Sequence, residues 1–187
     1  MSSCADYLEP MLQPKQAKQI VDKTARFIAE KVIAPYECIV FRGMSGALIA
    51  PVVAYKLGKP CVPVRKVEEQ GGQTHSTHIV ERRGDYKSYI ILDDLISAGH
   101  TCREIINQCD AEGMECRGIV VYNMSSQSDR PPADPGETTD WNLPAEDNTF
   151  FISKRRCVRV YCVGYAPDYV RYTPVDPTIG VAVRIRA

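Results

Sequence analysis

An excess of either charge is absent from this chain of 187 residues: 23 Lys and Arg face 23 Asp and Glu, for a formal net charge of zero. A surface with no positive surplus is not built to hold a polyanion, so no nucleic-acid partner is expected. Long apolar runs are missing too. The longest, residues 46–57, is too short to span a bilayer and contains Pro51, so no membrane partner is expected. Residues 1–10 are mixed and polar, unlike the basic start and apolar centre of a secretory leader. No internal repeat is visible. Cysteine is plentiful, but paired spacing is not. The eight thiols stand at 4, 38, 61, 102, 109, 116, 157 and 162, with no C-x-x-C and no zinc-like spacing. Several lie in apolar runs, where a thiol acts as a small hydrophobe. Reduced cysteines and a cytoplasmic compartment are therefore expected. The first strand-like run is not followed by G-x-G-x-x-G, which sets aside a dinucleotide-binding oxidoreductase. The length suits one domain spanning residues 1–187, large enough for a real core.

What the chain does have is concentrated in residues 89–113. Residues 89–92 (Tyr-Ile-Ile-Leu) are apolar and β-prone and read as a short buried strand. Asp93 and Asp94 follow at once, and two adjacent carboxylates are costly in a core unless they have a polar task. Ser97, Ala98, Gly99 and Thr101 then make a small, hydroxyl-bearing turn, and residues 101–111 have helical composition, closed by Gly113. A loop of small residues at a helix start aims several backbone N–H groups at one point, which makes an anion site. Ser97 and Thr101 add hydroxyl donors. Asp93 and Asp94 are placed to accept hydrogen bonds from a sugar diol. The alternative is a plain βα turn whose aspartates cap the helix or face solvent.

The rest of the chain alternates strand and helix. Residues 14–33 read as an amphipathic helix, with Pro14 in its first turn and Ile20, Val21, Thr24, Phe27, Ile28 and Val32 on one face. Residues 37–41 read as the first core strand. The tight loop Arg42-Gly43-Met44-Ser45-Gly46 follows, then a helix from about residue 47 to 57 with Gly58 at its end. A G-x-x-G loop facing a helix start is weak alone and gains weight beside the first motif. Residues 61–64 read as a strand ending in Arg65-Lys66, two cations suited to a polyphosphate or, alternatively, to solvent. Residues 67–86 lose apolar periodicity, as a lid does. They contain His75 and His78, with no further metal ligand at useful spacing. Residues 116–122 read as a strand, 125–149 as a polar surface excursion, and 150–153 and 158–163 as two more strands. The pattern gives an α/β doubly wound, mostly parallel sheet with ligands at the carboxyl ends of its strands.

Residues 89–101 resemble the phosphoribosyl diphosphate motif of the type I phosphoribosyltransferases: an apolar strand, two acids, two apolar residues, Ser/Thr, small, Gly, any residue, Thr/Ser. Every place is filled. The resemblance implies that Ser97, Ala98, Gly99, His100 and Thr101 bind the ribose 5-phosphate and that Asp93 and Asp94 hold the ribose hydroxyls. It implies that Arg42, Gly43, Met44 and Ser45 form a pyrophosphate loop, that residues 67–86 form a mobile loop, and that Arg65 and Lys66 share the leaving-group charge with Mg²⁺. The metal would be held mostly by substrate oxygens, with Asp93 and Asp94 acting on it indirectly. Residues 161–169 (YCVGYAPDY) resemble the base-binding segment of the hypoxanthine–guanine phosphoribosyltransferases. That likeness implies that Tyr161 stacks on the base, that the Cys162 backbone bonds its edge, and that Asp168 lies near an exocyclic amine. A small hood would come from residues 150–187, with helix 14–33 as a further contributor.

The expected partners are phosphoribosyl diphosphate and a nucleobase, in a homo-oligomer. Two places depart from the 6-oxopurine enzymes. Ser97 stands where they have Asp, as in the orotate and adenine enzymes, and Asn123 stands about where they have Lys. A 6-oxopurine remains the expected base. An orotate- or adenine-type enzyme, or a regulatory protein that binds without turnover, is the alternative.

Overall fold

The computed structural model describes residues 8–67, 78–94, 96, 99–122, 149–153 (backbone only) and 156–163. A short helix α1 (Glu9–Leu12) and a long helix α2 (Pro14–Lys31) lead into β1 (Cys38–Phe41), α3 (Gly43–Leu57) and β2 (Cys61–Pro63). Then come β3 (Ser88–Asp93), α4 (His100–Ala111), β4 (Glu115–Val121), β5 (Thr149–Ser153) and β6 (Arg156–Cys162). The six strands lie in the order β2-β1-β3-β4-β6-β5. All neighbours are parallel except β5, which runs antiparallel to β6. This is the expected doubly wound, mostly parallel α/β sheet.

Both faces of the sheet are covered, which is why its central strands read as unbroken apolar runs rather than alternating ones. Cys38, Val40, Tyr89, Ile91, Ile119 and Val121 point to the layer of α4, where Cys102, Ile105, Ile106 and Cys109 meet them. Ile39, Ile90, Leu92 and Val120 point the other way, toward α1, α2 and α3. Helix α2 buries Val21, Thr24, Ala25 and Ile28, spaced one turn apart, in this second layer. Residues 14–31 thus belong to the helical layer that carries the sheet. Of the expected hood segment 150–187, residues 150–153 and 156–162 are strands of the sheet, Val163 follows β6 with its N–H donating to the Val121 carbonyl at 2.8 Å, and the rest lies outside the described residues.

Two details differ from expectation. The helix after β1 begins at Gly43, so the loop expected over residues 42–46 is the first turn of α3. The second half of the expected mobile loop is pinned beside β2. Val80 forms an antiparallel bridge with Val64, Arg65 N–H donates to the Ile79 carbonyl at 2.9 Å, and Glu81 N–H donates to the Pro63 carbonyl at 3.1 Å. Its first half, residues 68–77, lies outside the described residues.

The connection β1–α3–β2 moves one way along the sheet, and β3–α4–β4 moves the other, with α3 and α4 on opposite faces. The strand order therefore reverses between β1 and β3, and a crevice opens outside their carboxyl ends, the usual ligand position in such sheets. Close packing under this crevice needs Gly46. A Cβ added there would lie 2.8 Å from the Phe41 Cβ, which is anchored to β1 and cannot swing aside. Gly46→Ala is expected to cost about 1–3 kcal/mol by overpacking. A melting curve should fall by roughly 3–10 °C for a chain of this size. An unchanged melting temperature would show that α3 is free to shift on β1.

Candidate functional site

Strand β3 carries its apolar run up to the sheet edge and ends on Asp93, with Asp94 next. Both are nearly enclosed, at 8% and 7% exposure. The Asp93 Oδ1 accepts the Asp94 N–H at 2.9 Å and the Ser45 hydroxyl at 3.2 Å. Burial first, and then the adjoining Asp94 carboxyl, push Asp93 from the usual carboxylate value up to about 7. Asp93 is thereby favoured in its protonated form near neutrality and acts as a hydrogen-bond partner of adjustable charge.

The first turn of α3 supplies the opposite wall. Gly43 has φ +72°, a left-handed conformation that a residue with a Cβ adopts at a cost, and this lets the chain leave β1 and turn at once into α3. Met44 is exposed beside it, and Ser45 spans the crevice to Asp93. The Ser45 carbonyl in turn accepts the Tyr122 hydroxyl at 3.0 Å from just past β4. Tyr122 N–H donates to the Asp93 carbonyl at 3.1 Å. Tyr122 is a site residue that sequence reading missed, since nothing in its local pattern separates it from a strand-end tyrosine.

The third wall is the start of α4. Gly99 occupies the cap with φ +74°, buried, and its carbonyl accepts the Arg103 N–H at 3.0 Å. His100 and Thr101 open the helix and are exposed. The first N–H groups of a helix have no partner within it, so this start faces outward with donors to give. Ser97 and Ala98 lie outside the described residues.

The expected cations are deployed unevenly. Arg42 does not face the crevice as a free charge. Its side chain is 3% exposed. Its Nε donates to the Val64 carbonyl at 3.2 Å, one terminal nitrogen to Glu104 at 2.6 Å, and the other to the Arg65 carbonyl at 3.0 Å and to Gln108. Every nitrogen of the guanidinium is thus occupied by protein, beside the loop expected to take a pyrophosphate. Arg65 is paired through Nε with Glu81. Lys66 is exposed and unpaired among the described residues.

On the far side, Tyr161 lies on β6 opposite Val120. It is 7% exposed and belongs to the core layer of α2 and α3. A Cβ on Gly118, two residues toward the amino end of β4, would touch its ring at 2.8 Å, and the Arg159 guanidinium sits 5.2 Å from the ring centre. The ring therefore lies along the sheet over Gly118, with the Arg159 guanidinium beside it. Cys162 ends β6 at that edge, with its side chain in the layer of α4. Asn123 and Asp168 lie outside the described residues. Among the described residues, no three His, Cys, Asp or Glu side chains converge as a metal cage, and no helix is long and apolar enough to cross a membrane.

Known proteins share this fold. The chain is 31% identical over 133 residues to an adenine phosphoribosyltransferase of Pseudomonas syringae pv. syringae, a match covering 60% of this chain and 69% of the relative. An adenine phosphoribosyltransferase of Petrotoga mobilis is 29% identical over 126 residues, covering 60% and 71%. A crystal structure of adenine phosphoribosyl transferase from Trypanosoma brucei has the same fold, with a TM-score of 0.50 at 20% identity. That match covers 63% of this chain and 56% of the trypanosomal one, so the chain spans little more than half of that protein. No family model matches the chain. The chain belongs to the type I phosphoribosyltransferase family.

Proposed function

We propose that this phosphoribosyltransferase moves ribose 5-phosphate from phosphoribosyl diphosphate to a ring nitrogen of a purine base, releasing pyrophosphate. One observation carries the reading. The crevice at the strand-order reversal is walled by a buried aspartate pair on β3, the first turn of α3, joined to it by the Ser45–Asp93 hydrogen bond, and the Gly99-capped start of α4. A sugar diol fits the carboxylates, a 5-phosphate fits the α4 start, and a diphosphate fits the α3 start with Lys66 beside it.

As the glycosidic bond to pyrophosphate breaks, the anomeric carbon becomes cation-like and the leaving oxygens gain charge. The α3 amides and Lys66 stabilise those oxygens, and the Asp93–Asp94 pair holds the sugar hydroxyls so that the base nitrogen meets the carbon in line. The hard carboxylate oxygens of Asp93 and Asp94 suit Mg²⁺, which would be held chiefly by substrate oxygens and would neutralise leaving-group charge. Asp168 and Asn123 are assigned to the base edge on sequence alone.

For the base, adenine is the first reading. The two relatives are named adenine enzymes, and Ser97 replaces the aspartate of the 6-oxopurine enzymes. A 6-oxopurine is the second reading, supported by residues 163–169 (VGYAPDY). Pyrophosphate release measured with adenine, hypoxanthine, guanine and orotate separates them. Turnover is expected with adenine and weaker or absent with the rest. Turnover with guanine or hypoxanthine alone would reverse the order. Binding of phosphoribosyl diphosphate with no turnover on any base would make the protein a regulatory binder.

A further inference from the structure

We infer that Arg42 is a positioning residue: its guanidinium fixes α4 against the carboxyl end of β2 and so sets the span between the two phosphate-binding ends of the site. This rests on the phosphoribosyl diphosphate reading above. Glu104 and Gln108 stand one turn apart on the same side of α4, and both accept from Arg42. The Val64 and Arg65 carbonyls, directly before Lys66, accept from the same group. The Arg42 backbone stands at the N-cap position of α3, so the side chain is anchored at the start of that helix. One side chain therefore joins three walls of the crevice. The helix that starts at Gly99–Thr101, the strand end that presents Lys66, and the α3 turn beside Gly43 cannot move apart without breaking it.

The charge pattern supports the same assignment. The Glu104 carboxylate neutralises Arg42, and Glu81 neutralises Arg65. A diphosphate at the Arg42 guanidinium would compete with Glu104, Gln108 and the Val64 and Arg65 carbonyls. Lys66 needs no such rearrangement. A substrate that carries a phosphate at one end and a diphosphate at the other must bridge a set distance, and a misplacement of about 1 Å is enough to cost on the order of a hundredfold in rate. A planar fork with several fixed donors suits this task, and a flexible ammonium does not.

The test compares Arg42→Gln, Arg42→Lys, Glu104→Gln, the Arg42→Gln/Glu104→Gln double variant and Lys66→Gln. The readouts are kcat and KM for phosphoribosyl diphosphate, together with the affinity for inorganic pyrophosphate by calorimetry. Arg42→Gln and Glu104→Gln should each lower kcat by roughly tenfold or more, with the double variant little worse than Arg42→Gln alone. Pyrophosphate affinity should stay within about threefold in both and fall at least tenfold in Lys66→Gln. Arg42→Lys should not restore kcat, although it keeps the charge. If Arg42→Gln does not fold, Glu104→Gln carries the comparison, because Glu104 is 61% exposed and its loss leaves no buried carboxylate. The inference alone is overturned if Arg42→Gln weakens pyrophosphate binding as much as Lys66→Gln, or if Glu104→Gln keeps the wild-type kcat. Wild-type protein that binds neither pyrophosphate nor ribose 5-phosphate overturns the functional reading, and the inference with it.

Discussion

Gly99→Val should remove phosphoribosyl diphosphate binding, by a hundredfold or more, and should do so for two separate reasons. Gly99 caps α4 at φ +74°, where an L-residue with a Cβ is strained, and a β-branched one most of all. Valine would pull the cap out of this conformation and turn the following N–H groups away from their common focus. Its methyl groups would also occupy the space through which a phosphate reaches the backbone. Losing two or more charge-assisted hydrogen bonds, each worth about 1.5–3 kcal/mol, accounts for the size of the effect. The strain also costs roughly 1–2 kcal/mol of stability, so a modest fall in melting temperature should accompany the loss. Calorimetric titration with ribose 5-phosphate, run beside a thermal melt, measures both. Undiminished affinity in a folded variant would move the phosphate cradle away from α4.

Asp93→Asn and Asp94→Asn should each reduce kcat/KM by about ten- to a hundredfold, the value of a hydrogen bond to a charged group at roughly 1.5–3 kcal/mol. For Asp93 the structure adds a second expectation of opposite sign. The folded protein holds this carboxyl at about 7, against 3.8 in its absence of burial, so the folded state binds the proton more tightly than the unfolded one. The contribution to stability is full below pH about 4 and is lost as pH rises to about 7. Asparagine mimics the protonated acid, because its Oδ1 can still accept from Ser45 and from the Asp94 N–H. The Asp93→Asn protein should therefore be more stable than wild type at pH 8 by roughly 2–4 kcal/mol, and the difference should vanish near pH 4. Melting curves across that range decide it. Equal melting temperatures at pH 8 would mean that the pair is better solvated than its burial shows, and unchanged kinetics in both variants would remove the sugar-binding role. A gain in stability paired with a loss of activity is what a carboxylate kept for function, and not for folding, should give.

Much of this protein was determined locally, in the order of its residues. Runs such as residues 89–92 are apolar on every position, so they are strands only if both faces are covered, and that condition already implies helices on both sides of a parallel sheet. The acidic pair after that run and the small turn before α4 depend on neighbours in sequence, and the family resemblance of residues 89–101 rests on the same short stretch. Helix α2 was legible from its one-turn spacing of Val21, Ala25 and Ile28.

Only the tertiary structure decided where individual side chains point. Arg42 lies beside a loop that invites a ligand, yet its partners on α4 are 62 and 66 residues away. Ser45 reaches Asp93 across 48 residues, and Tyr122 reaches Ser45 across 77. Tyr161 carries an aromatic ring that sequence places over a base, but the lack of a side chain on Gly118 makes room for it within the sheet layer. Periodicity and turn chemistry set the backbone because they act over a few residues. The direction of a guanidinium, a hydroxyl or a ring is set by which acceptors and which gaps the packed strands and helices bring beside it.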